Sequence, residues 1–414
     1  MKNNSKVLAE TKERIDGFAL KVSYGLSRPR KKFVRQAAFG MQAARDVKVS
    51  EMSRSLCEKI NLIKTENRLA RHFAKEDLTE ILNCNLLKES GKRIGKDTVL
   101  ALDLSDIRKD FAKKMENMCG IWDGSKKEAA KGYWICEIVG ANVDGNDVIP
   151  LYSEAYSHEA DDFKSENIQI LNAVDKVYEA TRGNGILTID RGGARPEIIE
   201  NIDKKRRSFV IRMRGDRHVL DCRGNKQSLA ELARKTKCPI SHEIEVNKDG
   251  KTQRYTICLG MRKDVLYADV KLNIVVVRGF GENEMILATN TAKTEKEILE
   301  IYLTRWKCEE SFRFLKNEYN LEDVRVRSYV AIRNVVAILH MVFYFLSVEL
   351  GIRLAFSIVV KKVMEKAKRF FEVTIFKQYA LADGLGRILF ETGWEDMHPE
   401  SKKRSRQMTL KFGT

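Results

Sequence analysis
The run TVLALDL at residues 98–104 sets apolar side chains at consecutive positions up to Asp103, with no polar alternation. A strand with one face in water alternates, so an unbroken run predicts a central strand buried on both faces. Two further strand candidates follow, YWICEIVGANV at 133–143 and VIPLYSEA at 148–155, separated by the turn signal Asp144-Gly145-Asn146. A helix is predicted over 164–182, and GILTID then forms a short strand that again ends on an aspartate, Asp190. The predicted order is three strands, a helix and a strand, with acids at the C-terminal ends of the first and fourth strands. In an open sheet that edge is where ligands gather.

Residues 207–284 read as mostly β: SFVIRMRG, a hairpin around Lys248-Asp249-Gly250, RYTICLG and NIVVVRG. MILATN at 285–290 is one more strand, followed at once by a long helix. Removing the β-rich block leaves strand, helix, strand, helix in one continuous fold, so the block is expected to be an insertion. The two ends of the chain differ in texture. Residues 1–95 show helical periodicity broken by the basic cluster Arg28, Arg30, Lys31, Lys32 and Arg35, and Ser50 is expected to cap the helix after it. Beyond residue 321 the pattern is helical again, up to a polar tail from about 399.

The chain carries 75 Lys and Arg against 58 Asp and Glu, a formal net charge of +17, and the basic residues concentrate at its two ends. Such a balance favours a polyanionic partner, with nucleic acid first and a membrane surface second. A small helical domain that binds DNA is the expected use of the N-terminal cluster; a bundle whose charges are merely solvated is the alternative. The eight cysteines form no C-x2-C pair and the histidines do not cluster with them, so neither a zinc site nor a disulfide framework is suggested and reduced core thiols in a cytosolic protein are expected. No N-terminal apolar segment has the form of a signal peptide. The longest apolar run, Val335 to Val348, is interrupted by His340; it is expected to be too short for a bilayer and to form a buried helix. Gly91-Lys92-Arg93-Ile94-Gly95-Lys96 is one residue short of a phosphate loop and lacks the following Ser or Thr, so it reads as a basic linker.

The long helix after MILATN carries Tyr302, Arg305, Glu309 and Lys316, at offsets 0, 3, 7 and 14. On one continuous helix these project within a roughly 60° arc and span about 21 Å, a carboxylate in a row of cations and a phenol. Together with Asp103 and Asp190, Glu309 makes three acids that can converge on a pair of divalent cations, about 3.5–4 Å apart in such sites, for in-line displacement at phosphorus. Hard carboxylate oxygens suit Mg²⁺. Asp106 competes with Asp103 but lies past the apolar run, where it is expected to cap a turn. Glu310 competes with Glu309 but points about 100° away from the motif face.

These residues resemble those of a DDE transposase of bacterial insertion sequences, in the group marked by a Y-R-E-K signature and a β-rich insertion. The resemblance covers residues 98–345 and includes the contexts LTID-Arg191 and Arg305-Trp306. It implies an α/β fold, an RNase H-like mixed sheet core interrupted by a β-rich insertion, with helical N-terminal and C-terminal regions. The implied division is a helical DNA-binding domain at 1–95, a catalytic core at 96–206 and 285–345, the insertion at 207–284, and a helical region with a basic tail at 346–414. The resemblance makes Asp103, Asp190 and Glu309 the catalytic ligands of two Mg²⁺ ions, with Mn²⁺ able to substitute, and gives Tyr302, Arg305 and Lys316 the transposon-end strand. Gly192-Gly193 follow Arg191 where many relatives carry another acid, and Cys308 precedes Glu309 where an aliphatic is usual.

In relatives the insertion helps hold a flipped base by aromatic stacking, which offsets the few kcal/mol that flipping costs. Here the insertion has no Trp, and Tyr255, Tyr267 and Phe280 are the available aromatics, each readable as a core or hairpin residue. The tail's Gln407, Leu410 and Phe412 resemble the peptide by which replication proteins dock on the bacterial sliding clamp. The expected function is a DNA transposase of the bacterial nucleoid, with transposon-end and target DNA and a second copy of itself as partners, and no membrane. The alternatives are a nuclease of the same fold that cuts without joining, and a domesticated DNA-binding protein.

Overall fold
The computed structural model describes residues 2–350 and 377–394, apart from residues 125, 144, 146, 222, 223, 249, 250 and 282. The clamp-type residues Gln407, Leu410 and Phe412, and the tips of both predicted turns, lie outside the described residues. The chain divides into two compact units, one of Met1–Asn85, Phe111–Glu116 and Phe314–Thr414, the other of Leu86–Asp110 and Asn117–Arg313.

In chain order the elements begin with α1 (Lys2–Val22), α2 (Arg28–Ala44), α3 (Val49–Leu56), α4 (Leu62–Lys75) and α5 (Thr79–Ser90). The strands β1 (Val99–Arg108), β2 (Cys119–Asp123), β3 (Glu128–Ala141) and β4 (Val148–Tyr156) follow, then α6 (Glu166–Ala180), β5 (Ile186–Ile189), α7 (Pro196–Lys204) and β6 (Ser208–Arg212). The β-rich block contributes β7 (His218–Leu220), β8 (Lys226–Ser228), α8 (Leu229–Lys235), β9 (Ile240–Lys248), β10 (Lys251–Tyr267) and β11 (Val270–Arg278). The remaining elements are β12 (Met285–Thr289), α9 (Glu295–Thr304), α10 (Trp306–Glu318), α11 (Tyr329–Tyr344) and α12 (Gln378–Thr392).

In the second unit, β1 pairs antiparallel with β3 and parallel with β5, β3 pairs antiparallel with β4, and β5 pairs parallel with β6. Setting aside the short β2, which the sequence reading missed, the order is third, second, first, fourth, fifth. That is the mixed sheet of an RNase H-like core. The first four residues of β1 are fully buried, as the apolar run requires. The β-rich block leaves the core at β6 and returns at β12, which pairs directly with β6; β11 and β10 then extend the same sheet. Ile298, Leu299, Ile301 and Tyr302 of α9 bury against Val275, Val277, Met285 and Leu287. Capping fixes where α9 begins: the Thr294 hydroxyl accepts the Glu297 N–H while the Glu297 carboxylate accepts the Thr294 N–H.

In the helical unit, α11 is buried and continues through a π-helical turn to Glu349. The run Val335–Val348 lies in a buried helix, as expected; the whole of Tyr329–Glu349, at 21 residues, is long and apolar enough to cross a bilayer by length and composition, and its side chains pack within the unit. Asn334 in its middle accepts from the Leu78 N–H at 2.7 Å and donates to the carbonyls of Phe73 and Glu76, satisfying groups left at the end of α4. Ser50 lies inside α3, whose cap residue is Lys48, because Val49 already has helical backbone. Of the cysteines, Cys119, Cys136 and Cys308 are buried, whereas Cys57 and Cys258 are exposed, so the core-thiol expectation holds for only part of the set.

Candidate active site
Sheet register brings the first two acids together. β1 and β5 run parallel with Leu102 opposite Ile189, so one further step places Asp103 beside Asp190, about 4.8 Å away across the sheet. Asp103 is the fifth residue of β1 rather than its last, since pairing with β3 carries the strand on to Arg108. Asp106, expected to cap a turn, is a strand residue opposite Trp134 for the same reason. After Ile189 the chain turns tightly through Arg191–Gly193. A Cβ on Gly193 would stand 2.4 Å from the Ile189 side chain, so this turn, which positions Asp190, requires glycine there.

The signature is not one helix. The backbone breaks at Arg305, between α9 and α10, with its N–H turned back to the Tyr302 and Leu303 carbonyls. A cause lies one residue earlier: the Thr304 hydroxyl donates to the Glu300 carbonyl at 2.8 Å, a back-bond that bends helices. Tyr302 and Arg305, before and at the break, both point inward. Tyr302 is 1% exposed and its hydroxyl donates to Asp190 Oδ1 at 2.8 Å. Arg305 is 4% exposed; its Nη2 lies 2.6 Å from Glu309 Oε1 and its Nη1 3.5 Å from Asp103 Oδ2. The guanidinium also lies over the Tyr302 ring, 5.5 Å from its centroid. The two residues expected to grip a DNA strand are therefore tied to the three acids. Glu310 pairs with Arg313 on the surface and takes no part.

Burial pushes the Asp103 carboxyl up to about 6, Arg305 opposes the rise, and Glu309 and Asp190 add to it. Burial also pushes Asp190 up, but the Arg191 N–H, Arg305 and the Tyr302 hydroxyl outweigh it and hold that carboxyl below its ordinary range. The Tyr302 phenol is pushed up to about 12, by burial first and then by Asp190, so it stays a donor.

One carboxyl near these acids escaped the sequence reading. Glu137 of β3 sits directly opposite Asp103, is fully buried, and neither of its oxygens has a hydrogen-bond partner. The signal was present: it is the one acid within the apolar run YWICEIVGANV.

Among the described residues, no three His, Cys, Asp or Glu side chains stand arranged to hold a metal ion. The donor types nevertheless fit a hard divalent cation, and Arg305 supplies a positive charge between Asp103 and Glu309.

Lys316 belongs to the helical unit, where its Nζ lies 3.1 Å from Glu322. In the same unit Arg28 and Lys32 are exposed at the start of α2, and Lys31 lies over the Tyr24 ring. Arg30, expected to contact DNA, is instead 3% exposed, with Nε 2.5 Å from Glu76 and Nη1 donating to the His72 carbonyl at 2.7 Å. It points inward because helix periodicity puts it beside buried Phe33 and Val34. Of the insertion aromatics, Tyr267 is buried with its hydroxyl on the Ala194 carbonyl. Tyr255 packs edge-on to Phe280, which meets Trp306 at the start of α10.

Residues 95–345 match the family model described as transposase DDE domain. No curated protein matches the chain. Among solved structures it is similar to piggyBac transposase, in a cryo-EM structure of the synaptic complex with hairpin DNA: 10% identity and a TM-score of 0.48, over 96% of this chain and 80% of that one. The family match covers well over half of the 414 residues, and it coincides with the sheet, the paired aspartates and the signature segment. Enzymes of this family use divalent metal ions. The chain belongs to the DDE-domain transposases: it is a DNA transposase, of the enzyme class that cleaves DNA and transfers its strands.

Proposed function
We propose that this transposase cuts DNA at the terminal inverted repeats of its own element and joins the freed 3′-hydroxyls to target DNA, using Asp103, Asp190 and Glu309 as one phosphoryl-transfer site. The observation that carries the reading is the register that sets Asp103 beside Asp190, with Glu309 joined to Asp103 through Arg305. Side-chain exposures of 25% for Asp103, 39% for Asp190 and 45% for Glu309 leave all three acids open to a substrate, while Tyr302 and Arg305 are closed in. When bound, a pair of divalent cations, Mg²⁺ or Mn²⁺ in its place, supplies charge stabilisation to the attacking and leaving oxygens. The protein's part is to hold the carboxylates in place and to fix their protonation. In cleavage, water displaces the 3′-oxygen from phosphorus, leaving a 3′-hydroxyl and a 5′-phosphate. In joining, that 3′-hydroxyl displaces the 3′-oxygen of a target strand.

Arg305 has two tasks in this reading. Arg305 neutralises Asp103 and Glu309 in the free protein; a bound cation would take over that charge and free Arg305 to hold, with Tyr302 and Lys316, the transposon-end strand near its 5′-phosphate. Residues 1–95 bind the end through Arg28, Lys31 and Lys32, and two copies assemble when the ends are synapsed. Replacing Glu309→Gln is expected to retain end binding in a gel shift and to abolish metal-dependent strand cleavage. Cleavage at the parent rate by this variant refutes the triad.

A further inference from the structure
The sheet places three carboxyls, not two, in a row. Glu137 of β3 is the register partner of Asp103, and Asp190 lies one step beyond the β1–β5 pairing on the other side. Register partners point to the same face of a sheet. Glu137, Asp103 and Asp190 therefore line up across three adjacent strands, spaced by about 4.8 Å.

Glu137 is otherwise unexplained. It is 0% exposed, and among the described residues it makes no ion pair and neither oxygen has a hydrogen-bond partner. A buried polar group in that state carries its full desolvation penalty, and a larger one if charged. Trp134 and Tyr156 nearby also carry unsatisfied polar atoms, but each presents a large ring to the core. Glu137 brings only a carboxyl and a short stem. A carboxyl set beside a metal-ligating carboxylate is what a divalent site uses to fix its ligands and its charge.

We infer that Glu137 is a fourth acid of the active site, a positioning residue that acts through Asp103 to hold divalent cation. This rests on the reading of Asp103 as a metal ligand. A cation held by Asp103 would then have an acidic neighbour on the buried side of the row, at Glu137, as well as the more exposed acids.

The test is titration of the DNA-free protein with Mn²⁺, followed by electron paramagnetic resonance, for the parent, Glu137→Gln and Asp103→Asn. Circular dichroism and melting temperature report folding. The amide keeps the shape of Glu137 and cannot ionise. If the inference is right, Glu137→Gln weakens Mn²⁺ binding by about 10-fold or more, and Asp103→Asn weakens it at least as much. If Glu137→Gln binds like the parent while Asp103→Asn does not, the fourth acid is refuted and the triad stands. If both bind like the parent, the triad reading fails and this inference falls with it. Should Glu137→Gln not fold, Glu137→Asp makes the same comparison, since it draws the carboxyl back by one methylene; parent-like affinity in that variant overturns the inference.

Discussion
Arg305 is the residue on which the state of the site turns. A guanidinium buried to 4% exposure between two carboxylates is stable because it is neutralised, and they are restrained by it. Removing one member of a buried pair leaves the other uncompensated, at a cost of about 3 kcal/mol or more. The loss here sits at the low end because Glu309 is half-exposed. Arg305→Met is therefore expected to lower stability in chelator by about 3 kcal/mol, measured by urea denaturation. Added Mn²⁺ should restore more stability to the variant than it adds to the parent. Equal stabilisation of both proteins would show that Arg305 and the cation do not share a place.

Among elements, what could be read in advance divides along physical lines. Continuous apolar runs gave β1, β3 and β5 because burial on both faces leaves an unmistakable pattern, and the aspartates in or after two of those runs came with them. The break at Arg305 was not legible: the motif has ideal helical spacing, and nothing in it marks the one-residue interruption after Thr304. Arg30 failed for a similar reason, since its charge suggests solvent while its position on α2 puts it inside. Glu137 was visible as a charge within an apolar strand, but only pairing register reveals that it faces Asp103.

Element packing also sets an acid limit on stability. Asp175 on α6 lies 2.7 Å from Lys205 and 2.5 Å from Arg207, which precede β6. Burial pushes its carboxyl up, but the two cations prevail and hold it below the ordinary 3.8. A depressed carboxyl contributes stability that is fully present above the unfolded value and lost as pH falls through the folded one. Asp175→Asn should accordingly be less stable than the parent at neutral pH, with the difference closing below pH 3.8 in a denaturation series. A constant difference across that window would remove Asp175 from the acid transition.

For the whole molecule, a net charge of +17 makes DNA affinity a function of salt. Each phosphate neutralised contributes about 0.9 to the slope of log affinity against log salt. Exposed Lys32 is expected to account for about one such contact, so Lys32→Ala should flatten the slope by about 0.9. Buried Arg30 should not: Arg30→Ala is expected to lower the melting temperature and leave the slope unchanged. Fluorescence anisotropy on end DNA across a salt series separates the two. If Arg30→Ala flattens the slope while the melting temperature holds, the inward packing of Arg30 is not what governs its role.

The β-rich block between β6 and β12 has a consequence in time. Glu309 follows Asp190 by 119 residues (309 − 190), most of them in that block. At roughly 5–20 residues per second, a ribosome delivers the third acid on the order of ten seconds after the second. The basic helices at the start of the chain are made first. If residues 1–95 bind the transposon end as proposed, each new chain would present its DNA-binding part well before its third acid.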